Sequence, residues 1–201
     1  FRDLLNMSTK APIRVALIGN PNTGRTTLFN QITGEKQATG NYARVTVSKS
    51  SQTVTHQGRE IELIDLPGVY MLNSKTDEEK VTRDLLRNEC PDIVINVINA
   101  GNLERNLMLT TQLIEMGLPR IFALNMKDEA DSQGVRIHCD TLSSLLGGPV
   151  IEMVARDGMG IEALMDEIVR HSEKPSGTCP TVKIGYDSHL EEAIQRTSQH
   201  L

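Results

Sequence analysis

The stretch GNPNTGRTT (19–27) determines which fold this chain is expected to adopt. It follows the apolar run IRVALIG (13–19) and leads into TTLFNQIT (26–33), so it joins a predicted buried strand to a predicted helix. In that context, glycines let backbone N–H groups turn toward phosphate oxygens beside the positive end of the helix dipole. We therefore interpret the stretch as a phosphate-binding loop, although an ordinary glycine-rich strand-to-helix turn would have a similar sequence.

Continuous apolar runs alternate with helical patterns along the rest of the chain. Because these runs lack the polar alternation of a half-exposed strand, we expect central strands of a mostly parallel sheet. Between them, Leu103, Leu107 and Ile114 share a helical face that ends at Gly117. The runs are IRVALIG (13–19), DIVINVINA (92–100), IFALN (121–125) and PVIEMVA (149–155).

Three further segments complete the predicted fold. Residues 45–56 and 59–66 are joined at Gln57-Gly58, which predicts an antiparallel hairpin at the sheet edge. The run DEEK (77–80) is expected to begin a helix, with its acids at the positive end of the dipole. The sequence thus predicts an α/β fold with a mostly parallel six-stranded sheet, one antiparallel edge hairpin and helices on both faces. The last predicted helix carries the apolar stripe Ile161, Leu164, Met165 and Ile168 after Gly160.

Composition narrows the classes of protein to consider. The 201 residues carry a net charge of −5 with no basic stripe, so nucleic acid is not expected as the main partner. No apolar run approaches the roughly 20 residues of a membrane span, and we expect a soluble chain from a reducing cytosol. The cysteines Cys90, Cys139 and Cys179 form no CxxC pair, and His138-Cys139 is interpreted as a surface pair rather than a metal site.

The expected domain organisation is one main domain with short flanking segments. Residues 1–11 are interpreted as an N-terminal extension, of which 1–6 are either introduced by cloning or upstream sequence. Residues 12–174 form the predicted domain, and 175–201 comprise a linker and the beginning of a further helical unit. The linker composition is clearest in EKPSGTCP (173–180), after which DSHLEEAIQ (187–195) is predicted to start a helix.

Three short motifs follow the phosphate loop in the order that a GTPase requires. In DLPG (65–68), Asp65 is placed to hold Mg²⁺ through water, and the Gly68 N–H is placed to meet a γ-phosphate. In NMKD (125–128), at the end of an apolar strand, Asp128 is expected to accept two N–H bonds from guanine, while Asn125 braces the loops. In VAR (154–156), the Ala155 N–H is expected to reach the guanine carbonyl.

The polar segment 34–47 is the expected first switch of such a GTPase. Its Thr46, just before the predicted hairpin, is placed to join Mg²⁺ when a γ-phosphate is present. Thr26 in the phosphate loop is the third expected Mg²⁺ ligand beside Asp65. The alternative for Thr46 is an ordinary β-branched strand residue.

Longer matching segments resemble one family of GTPases, the N-terminal G domain of bacterial ferrous iron transporter protein B, FeoB. They are GNPNTGRTTLFNQITG, TGNYARVTV, DLPGVY, NLERNLMLTTQLIEMG and ALNMKDEA, and the likeness extends over about residues 12 to 175. It implies a Ras-like P-loop GTPase domain that binds GTP and GDP, regulates Fe²⁺ uptake, and lies at the cytoplasmic face of the bacterial inner membrane. The implied partners are helical and transmembrane parts of the same polypeptide. The expected nucleotide contacts are Gly19, Asn20, Pro21, Asn22, Thr23, Gly24, Arg25, Thr26, Thr27, Thr46, Asp65, Gly68, Asn125, Met126, Asp128, Val154, Ala155 and Arg156.

The catalytic expectation starts from a missing glutamine. Ras-like enzymes orient the attacking water with a glutamine directly after DxxG, and this chain has Val69 there. The resemblance implies a substitute, K⁺ held by the phosphate-loop asparagine, here Asn22, with carbonyl groups near Gly40 and Tyr42. Asn22 as a simple loop former is the alternative. In the same segment, Ala43 and Arg44 replace the family's Pro and Gly.

Arg25 departs furthest from the family pattern, because phosphate loops carry lysine there. A planar guanidinium is wider than an ammonium, so we expect Arg25 to reach β- and γ-phosphate oxygens with altered geometry, unless the loop adjusts without consequence. Asn22, Arg25, Thr46 and Gly68 are the expected catalytic residues. The favoured function is slow, Mg²⁺-dependent GTP hydrolysis stimulated by K⁺. The alternative is a nucleotide-gated binding module in which Arg25 and the altered first switch have removed most hydrolysis. Its selectivity for GTP over ATP would be relaxed, because Met126 and Ala155 depart from common motifs.

Overall fold

A computed structural model of the chain describes residues 11–34, 38–41, 48–73 and 75–173, and the positions 182, 184, 185, 188, 191 and 192. Several predictions fall outside this part. They concern Tyr42, Ala43, Arg44, Thr46, Cys179, the extension up to residue 10 and all but the first residue of the linker 173–180. Of the helix predicted over 187–195, positions 188, 191 and 192 are described, and all three are helical.

The described residues form one seven-stranded sheet in which all six predicted strands are present. The strands are β1 (Ile13–Gly19), β2 (Ala38–Asn41), β3 (Ser48–His56), β4 (Arg59–Asp65), β5 (Ile93–Asn99), β6 (Arg120–Asn125) and β7 (Val150–Glu152). Their order is β2-β3-β4-β1-β5-β6-β7. Strands β4, β1, β5, β6 and β7 run parallel, while β3 is antiparallel to both β2 and β4. The predicted fold class is therefore confirmed.

Six α-helices lie in the part of the chain that the structure describes, and none is both long and apolar enough to cross a membrane. The second of them begins at Asp77, as predicted for the run DEEK, and Thr76 caps it, since the Thr76 hydroxyl accepts a bond from the Glu79 N–H at 3.2 Å. The helices are α1 (Arg25–Thr33), α2 (Asp77–Asp84), α3 (Leu103–Glu115), α4 (Lys127–Ser132), α5 (Cys139–Leu146) and α6 (Ile161–Ser172). Short π-helical and 3₁₀ turns occupy Leu85–Glu89, Ala100–Asn102 and Ala155–Asp157.

Helices cover both faces of the sheet, and β1 shows why. Val15 and Leu17 point to one face, where α1 and α6 pack, and Ala16 and Ile18 point to the other, where α3 packs. All four side chains are fully buried. A strand that is buried on both sides must be continuously apolar. The continuous apolar run 13–19 therefore correctly predicted a central position for β1 in the sheet.

The hairpin forms at the predicted turn. Gln57 and Gly58 both have positive φ angles, 49° and 72°, between the paired residues His56 and Arg59. This is the geometry of a two-residue type I′ turn, whose twist matches that of the flanking strands. Glycine adopts it without strain at the second position.

Strand β2 was missed by the sequence prediction. It extends the hairpin by pairing with β3 from Ala38 opposite Ser51 to Asn41 opposite Ser48. Its sequence ATGN carries no apolar alternation from which a strand could be predicted. The structure therefore has one strand more than the six predicted.

Helix α3 packs on the sheet through polar as well as apolar residues. Leu103 and Leu107 are partly buried on the predicted face, but the fully buried face contains Asn106, Leu109 and Thr110. The Thr110 hydroxyl donates to Asn96 Oδ1 in β5 at 2.6 Å. A buried hydrogen bond thus fixes α3, the helix beside the phosphate loop, to the central sheet.

Replacing Thr110 by valine tests this contact, because valine keeps the shape and leaves the buried Asn96 oxygen without its donor. We expect the free energy of unfolding to fall by about 1–3 kcal/mol in urea denaturation. Thr111→Val is the matched control, since that hydroxyl bonds to Met108 O within the same helix, and should change stability by less than about 0.5 kcal/mol. Equal stability of the two variants would contradict the assignment.

Candidate functional site

Four of the predicted nucleotide-binding segments lie at the carboxyl ends of the parallel strands, whereas Thr46 of the first switch lies outside the described residues. Gly19, Asp65 and Asn125 are the last residues of β1, β4 and β6, whose carboxyl ends point the same way. The segment 154–156 follows β7 at that edge. Open α/β sheets bind ligands outside the carboxyl ends of their strands, so topology alone brings these segments together.

The phosphate-loop stretch folds into a tight turn around a pocket lined by residues 20–27. Asn22 and Gly24 adopt left-handed conformations with φ angles of 63° and 80°. Gly19 has no room for a side chain, because a Cβ there would lie 2.6 Å from Val97 O. The Thr23 hydroxyl closes the turn by donating to Asn20 O at 2.9 Å. The pocket therefore lies directly before the first turn of α1.

Asn125 links this loop to the segment after β7. Its side-chain nitrogen donates to Thr23 O at 2.9 Å, and its side-chain oxygen accepts the Ala155 N–H at 2.9 Å. All three residues are nearly fully buried. These are the bracing contacts that the sequence predicted for Asn125.

Arg25 lies against the carboxylate that was predicted to hold Mg²⁺. Its Nε donates to Asp65 Oδ1, and both side chains are largely buried. Thr26 Oγ1 donates to the other oxygen, Oδ2, at 3.3 Å. Burial raises the pKa of Asp65 above its ordinary value, and the Arg25 charge offsets only part of this rise. The guanidinium therefore pairs with Asp65 here, a contact that the sequence analysis did not foresee for this side chain.

The segment after β4 passes over the phosphate loop. Gly68 has Pro21 and Arg25 as neighbours, since a Cβ on it would lie 3.3 Å from Pro21 Cα and 3.2 Å from Arg25 Nη1. The Val69 N–H donates to Gly19 O at 3.3 Å. The Val69 side chain is buried among Leu66 and other apolar residues. The residue directly after DLPG is therefore part of the apolar core in this structure.

Asp128, the predicted guanine acceptor, has an arginine beside it. Arg156 Nη2 lies 3.1 Å from Asp128 Oδ2, and the same guanidinium contacts the Asp157 carboxylate through Nε at 2.9 Å. Both contacts raise the pKa of Arg156, with Asp157 contributing most, and the bond from Arg156 lowers the pKa of Asp157. The structure thus places Asp128 at the site edge as predicted, but with a partner from the chain itself.

The role predicted for the Ala155 amide needs correction. Its N–H was expected to reach the guanine carbonyl, but it donates to Asn125 Oδ1 inside the protein. The N–H groups of Asp157 and Gly158 are also used, by Val154 O at 3.0 Å and Ala155 O at 3.3 Å. Sequence alone could not assign these amides, because the shape of the 3₁₀ turn decides which of them faces outward.

Met126 lies between the phosphate loop and β5. It has a positive φ of 61°, and its sulfur accepts a bond from Asn99 Nδ2 at 3.0 Å. Its Cε lies 3.7 Å from the position that a Gly24 Cβ would take. A flexible apolar side chain is therefore available beside the pocket, in keeping with the predicted cover for a base.

The sequence analysis missed a set of contacts on the α3 side of the loop. Asn20 is buried, and its Nδ2 donates to Arg105 O at 3.1 Å. The Arg105 guanidinium lies 4.5 Å from the centre of the Tyr70 ring, after DLPG. Gln112 Oε1 accepts the Leu72 N–H at 2.7 Å. The runs NLERNL and DLPGVY, which carried the family resemblance, contain two of these residues, Arg105 and Tyr70, and were the available signal.

Other predicted residues are placed as follows. Thr27 is exposed in the first turn of α1, and the Val154 N–H donates to Met159 O at 3.2 Å. Gly40 lies in β2 opposite Lys49. His138 is exposed, whereas Cys139 is half-buried at the start of α5, and burial raises the pKa of its thiol to about 11. Within the described residues, no three His, Cys, Asp or Glu side chains are grouped to hold a metal ion.

The family follows from comparison with known proteins. A family model described as ferrous iron transport protein B matches residues 13–168. The chain belongs to the FeoB family. The Fe(2+) transporter FeoB of Salmonella typhimurium is 48% identical over 164 residues, which cover 80% of this chain and 21% of that protein. This FeoB-family chain therefore spans about a fifth of the length of that relative.

Solved FeoB structures share the fold. The G-domain of FeoB from Methanococcus jannaschii superposes with a TM-score of 0.72 at 40% identity, covering 81% of this chain and 99% of that one. The cytosolic domain of the T. maritima FeoB iron transporter in its GMPPNP form gives a TM-score of 0.87 at 36% identity, covering 93% and 73%. The predicted resemblance and the Ras-like fold class are confirmed.

Truncation of Asn125 tests the link between the two loops. Asn125→Ala leaves the buried Thr23 carbonyl and Ala155 N–H without partners, so we expect a loss of about 2–4 kcal/mol in the free energy of unfolding. Asn88→Ala, at an exposed asparagine, is the control and should stay within about 0.5 kcal/mol of the parent chain. Indistinguishable urea midpoints for the two variants would show that the loops do not depend on this amide.

Proposed function

We propose that residues 12–174 form a G domain that binds GTP and hydrolyses it slowly to GDP and phosphate. The observation that carries the proposal is the position of Asn125, whose amide joins the phosphate loop at Thr23 to the turn at Ala155. A nucleotide has a phosphate end and a base end, and this link sets the two corresponding segments at a constant separation. The T. maritima relative's GMPPNP form and the family membership support the same ligand class.

In the proposed site, Asp128 reads the guanine edge by accepting its two N–H groups. The carbonyl of the base is then met by a backbone amide of the 3₁₀ turn. We assign this to Arg156, because the amides on either side of it are bonded to Asn125 Oδ1 and Val154 O. Met126 contributes apolar cover beside the base, and Gln31 holds the turn by donating to Arg156 O at 3.1 Å.

The phosphate end is assigned to the backbone N–H groups of residues 19–27, with Arg25 as the charged side chain. Thr26 and Asp65 fit a magnesium ion, because they are oxygen donors whose side chains already approach within 3.3 Å. Thr46, outside the described residues, completes the proposed set. When bound, the metal supplies charge neutralisation at the β- and γ-phosphate oxygens.

Hydrolysis is proposed to proceed without a catalytic glutamine, since Val69 is buried. The Gly68 N–H is placed to stabilise the γ-phosphate, because Gly68 lies against Pro21 and Arg25. Asn22, in a left-handed turn, presents its side chain from the phosphate loop and is our candidate K⁺ ligand. A cation there would supply the positive charge that an arginine finger supplies in other GTPases.

At the level of the whole protein, we propose that this domain regulates Fe²⁺ uptake by a membrane permease region that lies outside the chain. Residues 175–201 would form the linker and the first part of a helical domain that connects the two. The name of the Salmonella typhimurium relative, an Fe(2+) transporter almost five times the length of the matched segment, supports this organisation. The G domain would then lie at the cytoplasmic face of the inner membrane.

Phosphate release from GTP by this chain, at saturating nucleotide and Mg²⁺, tests the enzymatic proposal. We expect turnover in KCl that exceeds turnover in NaCl, and little release from ATP. Asn22→Ala is expected to abolish the difference between the salts while GDP binding persists. Absence of release above buffer in either salt, with GTP still bound, would instead favour a nucleotide-gated module without hydrolysis.

Arg25→Lys tests whether the ion pair with Asp65 limits the reaction. Lysine is a compact point charge that fits phosphate loops, and its substitution removes the guanidinium that occupies Asp65. We expect the Mg²⁺ concentration for half-maximal GTP turnover to fall and the turnover rate to rise by about tenfold, equivalent to roughly 1.4 kcal/mol. Arg87→Lys, at an exposed arginine between α2 and β5, is the control. Unchanged Mg²⁺ dependence would show that Arg25 leaves Asp65 when nucleotide binds.

A further inference from the structure

One arginine contacts the carboxylate that we assign to base recognition. Arg156 Nη2 lies 3.1 Å from Asp128 Oδ2, and both side chains are accessible to solvent at the site edge. The two residues come from different elements, Asp128 from the first turn of α4 after β6 and Arg156 from the 3₁₀ turn after β7. The contact is therefore made by the tertiary structure at the position where a base would be read.

The chemistry of the two possible partners of Asp128 is closely similar. A guanidinium presents paired N–H donors in one plane, a pattern that matches the two oxygens of a carboxylate. The guanine edge presents its ring N–H and its exocyclic amino group in the same planar arrangement. Arg156 Nη2 takes one of the acceptor positions of Asp128 Oδ2, so it competes with the guanine edge for the same carboxylate.

We infer that Arg156 is a specificity-determining residue whose guanidinium occupies one carboxylate oxygen of Asp128, an oxygen that the guanine edge would use, until a guanine nucleotide displaces it. This inference rests on the proposed function, because it assumes that Asp128 reads guanine. It adds to that function a competitor built into the chain. Arg156 then has two roles, with its backbone N–H binding the base and its side chain opposing it.

The surroundings of Arg156 allow this exchange without movement of the backbone. The guanidinium also contacts Asp157, from Nε to Oδ1 at 2.9 Å and from Nη2 to Oδ2 at 3.2 Å. It therefore keeps a charged partner after it leaves Asp128. Gln31 and the 3₁₀ turn hold the main chain of residue 156 in the meantime. Displacement of Arg156 by a base therefore breaks one exposed ion pair, that between Arg156 and Asp128.

The competition acts on guanine nucleotides alone. GTP and GDP share the base, so both lose affinity to the same extent. Adenine lacks the paired donors that Asp128 accepts, so adenine nucleotides do not need to displace Arg156. The consequence is a smaller preference for guanine over adenine than Asp128 would otherwise provide.

The test compares GDP and ADP binding to this chain by titration calorimetry in Mg²⁺. In Arg156→Ala, we expect GDP to bind about threefold more tightly, as for loss of an exposed ion pair, so that the affinity ratio of GDP to ADP rises by about the same factor. Loss of a positive charge affects both nucleotides alike and cancels in the ratio. Arg136→Ala removes an exposed arginine from the connection between α4 and α5 and provides the reference for GDP alone.

Asp128→Asn separates this inference from the proposed function. If Asp128→Asn binds GDP as tightly as the parent chain, the base-recognition role of Asp128 is wrong. If it weakens GDP binding but Arg156→Ala leaves GDP affinity equal to that of Arg136→Ala, only the competitor role is overturned. Equal losses of GDP and ADP affinity in Arg156→Ala would also overturn it, because the guanidinium would then be stacking on the base. In the Asp128→Asn background, Arg156→Ala should leave the GDP to ADP ratio unchanged.

Discussion

The site depends on one buried amide, that of Asn125, which is bonded to two loops at once. Its nitrogen and oxygen each make one bond of 2.9 Å, to Thr23 O and from the Ala155 N–H. The Thr23 carbonyl and the Ala155 N–H are buried, so water cannot replace Asn125 as their partner. Both loops are therefore held next to the end of β6. Gly24 allows this approach, because a Cβ on it would lie 2.3 Å from the Asn125 nitrogen. The spacing between the phosphate end and the base end is thus set by a side chain at the end of a core strand.

Arginines of the chain itself hold both carboxylates that we assign to ligands. Arg25 pairs with Asp65 at the phosphate end, and Arg156 pairs with Asp128 at the base end. An unpaired buried carboxylate such as Asp65 would be costly, so its partner stabilises the domain. A metal ion at Asp65 or a base at Asp128 must then replace the arginine. The net affinity for the ligand is therefore the free energy of the new contact minus that of the ion pair that is broken. Asp65 is largely buried and Asp128 is not, so the exchange at Asp65 involves the larger energies.

The α3 side of the phosphate loop joins the segment after DLPG to the helix. Arg105 takes part through two different groups, its carbonyl with Asn20 and its guanidinium with the Tyr70 ring. Thr110 fixes the same helix to β5, so the residues that contact α3 are held in a defined position relative to the central sheet. A shift of Tyr70 would therefore be transmitted to the phosphate loop through Arg105, which contacts both Tyr70 and Asn20. Arg105 and Thr110 lie in the run NLERNLMLTTQLIEMG (102–117), whose NLERNL and TTQLIE segments are not part of the general GTPase pattern.

The sequence by itself determined the α/β fold class, the central strands and the end of the sheet at which the motif residues lie. Burial on two faces requires continuous apolar runs, such as 13–19, and parallel strands must present their carboxyl ends together. It could not predict β2, because ATGN pairs through its backbone and leaves no pattern in the side chains.

Only the tertiary structure decided which partners the polar groups of the site take. The Ala155 N–H binds Asn125 rather than facing outward, Arg25 turns to Asp65, and Arg156 reaches Asp128. Hydrogen bonds and ion pairs between residues far apart in the chain depend on distances of a few tenths of an ångström. Those distances come from the packing of the strands and helices that carry the loops, so periodicity and motif spacing cannot supply them.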